Sequence, residues 1–127
     1  MNNVKVIAGD DTPKSSLPFS PAIHAGDYIF FSGQASVDMK GNIVSGTFAE
    51  ECRRTFDNLE KVLKAAGVEF ENIVQVRNYV GKQEYLQEFN KIYREYFKKP
   101  YPARTTITGC LGDMLKFEVD AIAYAKK

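Results

Sequence analysis

Two short stretches carry the residue types that could do chemistry. Arg104 stands in Pro102-Ala103-Arg104-Thr105-Thr106-Ile107, at the start of a run whose polar and apolar residues suit a strand. Lys116-Phe117-Glu118-Val119-Asp120 follows a few residues later and puts two carboxylates, Glu118 and Asp120, on one face of a second run. A guanidinium is a planar, permanently charged fork that grips a small carboxylate through parallel hydrogen bonds. A nearby glutamate can accept a proton from attacking water. If the two runs are adjacent strands, Arg104 and Glu118 share one pocket, an anion anchor beside a proton-transfer group. The same spacing equally describes a cross-strand ion pair, worth about 0–1 kcal/mol when exposed.

Other chemistries have less to work with. His24 is the only histidine, and Cys52 and Cys110 have no paired spacing. A zinc centre needs three or four clustered ligands, so no metal is expected. A serine nucleophile would depend on His24, which nothing nearby supports. Cys52 reads as a packed helix residue, Cys110 as a loop thiol and His24 as part of an exposed hairpin turn. The formal net charge of +1, from 17 basic and 16 acidic residues, lacks the excess of a broad phosphate-binding surface. Nucleic acid is therefore not an expected partner. Met1 to Ile7 has no long apolar leader, and no run approaches a membrane span, so a reducing, cytoplasmic setting is expected.

These residues must be held by local elements, and the chain reads as one domain over residues 1–127. Asp10 to Pro18 is a polar, proline-punctuated loop. Strands are expected over Phe19 to Ile23 and Tyr28 to Ser32, with Gly33 ending the second and Met39 to Asn42 forming a turn. Thr47 with Glu50 makes a capping box, and Phe48, Cys52, Phe56, Leu59, Leu63 and Ala66 recur at helical spacing before Gly67. Ile73 to Val80 is a strand. Tyr85 to Phe97 is a second helix, with Leu86, Phe89, Tyr93 and Phe97 on one stripe, halted by Pro100 and Pro102. Strands close the chain at Arg104 to Thr108 and Leu115 to Tyr124. The order predicts an α+β domain with both helices on one face of a sheet. The mixed second face of the last strand, Lys116, Glu118, Asp120, Ile122 and Tyr124, suits a subunit interface and its pockets.

Ala25-Gly26-Asp27, Ser32-Gly33-Gln34, Asn58-Leu59, Ala65-Ala66-Gly67, Phe89-Asn90-Lys91-Ile92-Tyr93, Pro102-Ala103-Arg104-Thr105 and Glu118 to Ala123 follow one another along nearly the whole chain. In this order and spacing they resemble the Rid (YjgF) family of small trimeric proteins. The resemblance implies a chorismate-mutase-like mixed β-sheet, with sheets packed as a trimeric barrel and clefts between neighbouring subunits. It implies hydrolysis of reactive enamines and imines, of the 2-aminoacrylate and 2-iminopropanoate type, to 2-oxo acids and ammonia. No cofactor is implied, and the expected partners are a small carboxylate-bearing imine or 2-oxo acid and two further copies of the chain.

The resemblance also assigns residues. Arg104 matches the family's carboxylate-binding arginine, and Glu118 the acidic residue that positions or activates water. Ser32 and Gly33 match cleft residues, and Asn90 the second-helix asparagine near the cleft. Thr106 stands where relatives often carry cysteine. The deaminase branch usually has Gly-Pro-Tyr where this chain has Leu17-Pro18-Phe19, so the phenol is absent. Phe19 thereby favours the alternative, a non-catalytic trimer that binds small carboxylates as a metabolic sensor or regulator. A ribonuclease or translation inhibitor, a description attached to some relatives, fits the near-neutral charge and single histidine less well. Phe19 and Ile107 are expected in the pocket wall, favouring larger apolar imines.

Overall fold

The first helix, α1, runs over Phe48–Ala65 and starts as its capping residues dictate. Thr47 Oγ1 accepts from the Glu50 backbone N–H at 3.2 Å, and the Glu50 carboxylate accepts from the Thr47 N–H at 2.8 Å. Gly67, at φ 77°, takes the left-handed conformation that ends the helix. Phe48, Cys52, Phe56, Leu59 and Leu63 are all buried, as the helical spacing requires. The second helix, α2 (Leu86–Tyr96), buries Phe89, Ile92 and Tyr93, and Phe97 follows in an extended conformation. The computed structural model describes residues 3–125; Met1 and Asn2, which begin the segment read above for a leader, lie outside them with the last two lysines.

Six strands form one mixed sheet: β1 (Val4–Ile7), β2 (Ala22–Ala25), β3 (Tyr28–Ala35), β4 (Ile73–Val80), β5 (Ala103–Thr108) and β6 (Phe117–Tyr124). Their spatial order is β1-β2-β3-β6-β4-β5. Only β4 and β5 pair in parallel, a pairing that needs a crossover, and α2 supplies it. β6 alternates strictly between buried odd and half-exposed even positions. Its Phe117 meets Phe56 and Phe89 at ring-centroid distances of 5.2 and 5.3 Å, so both helices pack on this one face.

Several local expectations need correction. β1, which carries little alternation, was not anticipated and is an edge strand held by β2. β2 begins at Ala22 rather than Phe19, because the Phe19 N–H turns back to the Leu17 carbonyl at 2.8 Å and Pro21 has no N–H to offer a ladder. β3 does not stop at Gly33. It continues to Ala35 through an irregularity between Phe31 and Gln34, where the register with β6 shifts. β6 starts at Phe117, two residues after Leu115. His24 sits within β2, with Nε2 3.0 Å from the Gly26 carbonyl, rather than on the turn.

Among the described residues, the far face of the sheet carries no helix. Tyr28, Phe30, Ile107 and Tyr124 stand on it, 43, 45, 41 and 37% exposed. Among the described residues no helix is long and apolar enough to cross a membrane.

Candidate functional site

Arg104 lies in β5 and faces the helices. It is in register with Val76, a core residue of β4, and direct partners share a face. Its Nη1 donates to Asn90 Oδ1 at 2.9 Å. Its guanidinium carbon lies 4.8 Å from the centroid of the Tyr93 ring and 5.3 Å from that of Phe89. Ring faces attract such a cation, so α2 braces the guanidinium beside the cavity. Arg104, Asn90, Tyr93, Arg94, Lys99 and Tyr101 border a cavity of about 590 Å3. Burial, partly opposed by Arg104, pushes the Tyr93 phenol up to about 12, so it remains a donor at neutral pH.

Thr106 lies two residues beyond Arg104 on the same face, in register with Asn78. Its Oγ1 is buried and without a protein partner, as are both ends of the Asn78 amide and the Tyr93 hydroxyl. Buried polar atoms are normally paired, so this side of the sheet has unused hydrogen-bonding capacity.

Glu118 lies elsewhere. It is in register with Tyr79 and Ala35, on the helix-free face. Gly33 makes room for it: a Cβ there would lie 2.7 Å from Glu118 Oε2. Burial, and secondarily the neighbouring Asp120, raise the Glu118 carboxyl above its ordinary value. Asp120 is itself clamped, accepting from Arg77 Nε at 2.8 Å and from the Tyr79 hydroxyl at 2.9 Å. Burial, and secondarily that hydrogen bond to Asp120, raise the Tyr79 phenol. Glu118, Asp120, Arg77, Ser32, Gly33 and Phe19 line a second cavity of about 770 Å3, together with the loop residues Lys14 and Ser15. Ser32 donates its hydroxyl to the Ser20 carbonyl, tying down the loop beside Phe19.

Arg104 and Glu118 therefore do not share a pocket within one chain. β4 separates their strands, and their registers through Val76 and Tyr79 differ by three residues. Strand spacing and rise put their Cα atoms on the order of 14 Å apart, with side chains on opposite faces. The cross-strand ion pair is excluded for the same reason; the ion pair of the helix-free face joins Arg77 to Asp120. Two separate clusters, each half of the candidate site, result: Arg104 with Asn90, and Thr106 nearby, on the helix side; Glu118 with Ser32, Gly33 and Phe19 on the other. Phe19 is 51% exposed, and Ile107 borders neither cavity.

Sequence reasoning missed Arg77 and Tyr79, which hold Asp120, and Arg94 and Lys99 beside Arg104. The alternation of Ile73 to Val80 does place Arg77 and Tyr79 on one face. What it lacks is any sign of which strand that face adjoins.

A six-stranded mixed sheet backed by two helices, with an arginine braced beside a cavity on one face and a desolvated glutamate on the other, defines a small α+β protein. The sequence profile described as Endoribonuclease L-PSP matches residues 9–125, and the chain belongs to that family, the Rid (YjgF) family. A RutC family protein of Pyrococcus horikoshii is 34% identical, covering 94% of this chain and 97% of its own length. The human 2-iminobutanoate/2-iminopropanoate deaminase is 33% identical over 94% of this chain and 88% of its own. The solved structure of a putative endoribonuclease from Thermotoga maritima superposes with a TM-score of 0.88 at 31% identity, covering 97% of this chain and 98% of that one.

Proposed function

We propose that the protein hydrolyses small 2-imino acids and their enamine tautomers to 2-oxo acids and ammonia. The observation that carries this reading is Arg104, held by Asn90 and the Tyr93 ring beside a cavity of small-molecule size. An imine carbon is already electrophilic, so the protein needs to hold the carboxylate, admit water and move a proton. Arg104 binds the carboxylate, and Thr106 offers an unused hydroxyl near it. Glu118 has the raised proton affinity suited to accept a proton from water and return it to the leaving amine.

Within one chain these groups are too far apart to meet a single small substrate. The reading therefore includes a homotrimer in which the helix-free faces pack together. Because β5 is an edge strand, Arg104 then stands at the subunit boundary, where the Glu118, Ser32 and Gly33 of a neighbour approach it. The exposed Tyr28, Phe30, Ile107 and Tyr124 support such packing, since large apolar groups on one sheet face favour burial. The named activity of the human relative supports the reaction class.

A second reading has its own observation. Phe19 occupies the wall of the Glu118 cavity without a hydroxyl to hold water. A trimer that binds small carboxylates without turnover would suit it. One experiment separates the two: imines generated in place from amino acids, with ammonia and 2-oxo acid release followed for native protein and Arg104→Ala. Turnover in the native protein, falling about 10- to 100-fold in the variant as a charge-assisted hydrogen bond is lost, supports the enzyme. Binding without turnover supports the sensor. Full turnover by folded Arg104→Ala removes the anchor role.

A further inference from the structure

The cavity beside Arg104 has an unusual charge balance. Arg94 on α2 and Lys99 in the following loop border it with Arg104, and within one chain no aspartate or glutamate does. Among the described residues none of these cations has an ion-pair partner, although other cations do, such as Arg53 with Glu95 and Lys116 with Glu51. Arg94 only donates to the Asn90 carbonyl, at 3.3 Å. Tyr93 lines the same cavity, and its buried hydroxyl has no protein partner. A single carboxylate on Arg104 would leave Arg94 and Lys99 unmatched. Positive groups gathered without countercharge in a concave site attract an anion of matching charge. The volume of about 590 Å3 also leaves ample room beyond a three-carbon acid.

We infer that the Arg104 cavity selects short dicarboxylates, 2-imino or 2-oxo acids with a second terminal carboxylate. Arg104 holds the carboxylate next to the reacting carbon, and Arg94 with Lys99 holds the distal one. The Tyr93 hydroxyl adds a neutral donor between them. This rests on the reading of Arg104 as a carboxylate anchor and names the substrate class for it. It differs from the expectation of larger apolar side chains; within one chain Phe19 and Ile107 do not border this cavity.

The test compares two probes of equal carbon count, 2-oxopentanoate and 2-oxoglutarate, which differ in a terminal methyl against a carboxylate. Their affinities are measured by calorimetry at low salt on the native protein and on Arg94→Gln/Lys99→Gln. Both positions are exposed, so the variant is expected to fold, with circular dichroism as the check. The expected result is at least tenfold tighter binding of 2-oxoglutarate, a ratio falling below threefold in the variant and shrinking with added salt. Equal affinities, or tighter binding of 2-oxopentanoate, overturn the dicarboxylate inference and leave the proposed function standing. A preference that persists in the variant overturns the assignment to Arg94 and Lys99. Failure of both acids to bind overturns this inference and the carboxylate-anchor reading together.

Discussion

At the scale of single residues, Glu118 is shaped by what surrounds its carboxylate. Burial and the Asp120 charge both favour its neutral form, so its folded proton affinity exceeds that of the unfolded chain. The sign for stability follows from linkage. Below the unfolded value, about 4.3, both states are protonated and the carboxyl costs nothing. As pH rises from there through the folded value, ionisation costs the fold more than the unfolded chain. Glu118→Gln is therefore expected to raise the melting temperature near neutral pH and to give no gain below about pH 4; calorimetry at both pH values reads this. A gain of equal size at both would remove the desolvation argument. Gly33 is the complementary case. A methyl group there meets only the far end of Glu118, at 2.7 Å from Oε2 and 3.2 Å from Cδ, so the side chain can swing aside. Gly33→Ala is expected to keep the fold and lower imine hydrolysis by up to the order of 10²-fold, as a misplaced catalytic group does. Steady-state rates beside a thermal melt distinguish this from unfolding.

At the scale of elements, α1 is bound to the sheet by more than its apolar stripe. Glu51 is only 1% exposed. Its carboxylate accepts from the Gly46 N–H at 3.1 Å, the Lys116 N–H at 3.0 Å and Lys116 Nζ at 3.1 Å. One side chain thus joins the entry to α1 to the segment that leads into β6. Removing it leaves partly buried N–H groups without acceptors, which is costlier than the loss of an exposed ion pair. Glu51→Ala is expected to destabilise the protein by about 3 kcal/mol, read as a lower urea midpoint at unchanged slope. A loss indistinguishable from that of a surface substitution would show that the loops relax to water. This contact was not legible beforehand. Glu51 adjoins the apolar stripe but carries no local mark of burial, and Lys116 lies 65 residues away.

At the scale of the whole molecule, the proposed function gives the helix-free face the task of bringing residues of different chains together. Phe30 is 45% exposed and in register with Ile122, near the middle of that face. If trimer formation buries it, Phe30→Lys places a charge in an apolar interface. Light scattering is then expected to find a single-chain mass, with imine hydrolysis reduced at least tenfold although no residue of either half-site has changed. Full activity in a monomeric variant would mean that one chain suffices, against the separation of Arg104 from Glu118.

Where the local signals in this chain are strong, the structure follows them. The capping box at Thr47, the helical spacing of Phe48 to Leu63, the prolines after α2 and the alternation in β6 each depend on neighbours a few residues apart. Such signals also assign each side chain to one face of its own element, so Glu118 and Asp120 were rightly grouped together. Strand pairing is different, because it joins residues far apart in sequence and leaves little trace in either strand. The parallel pairing of β4 with β5 and the placement of β6 on the other side of β4 put a strand between Arg104 and Glu118. The residue types suited to the proposed chemistry could be named from the chain alone. Their division between opposite faces of the sheet came from long-range register, which no local pattern encodes.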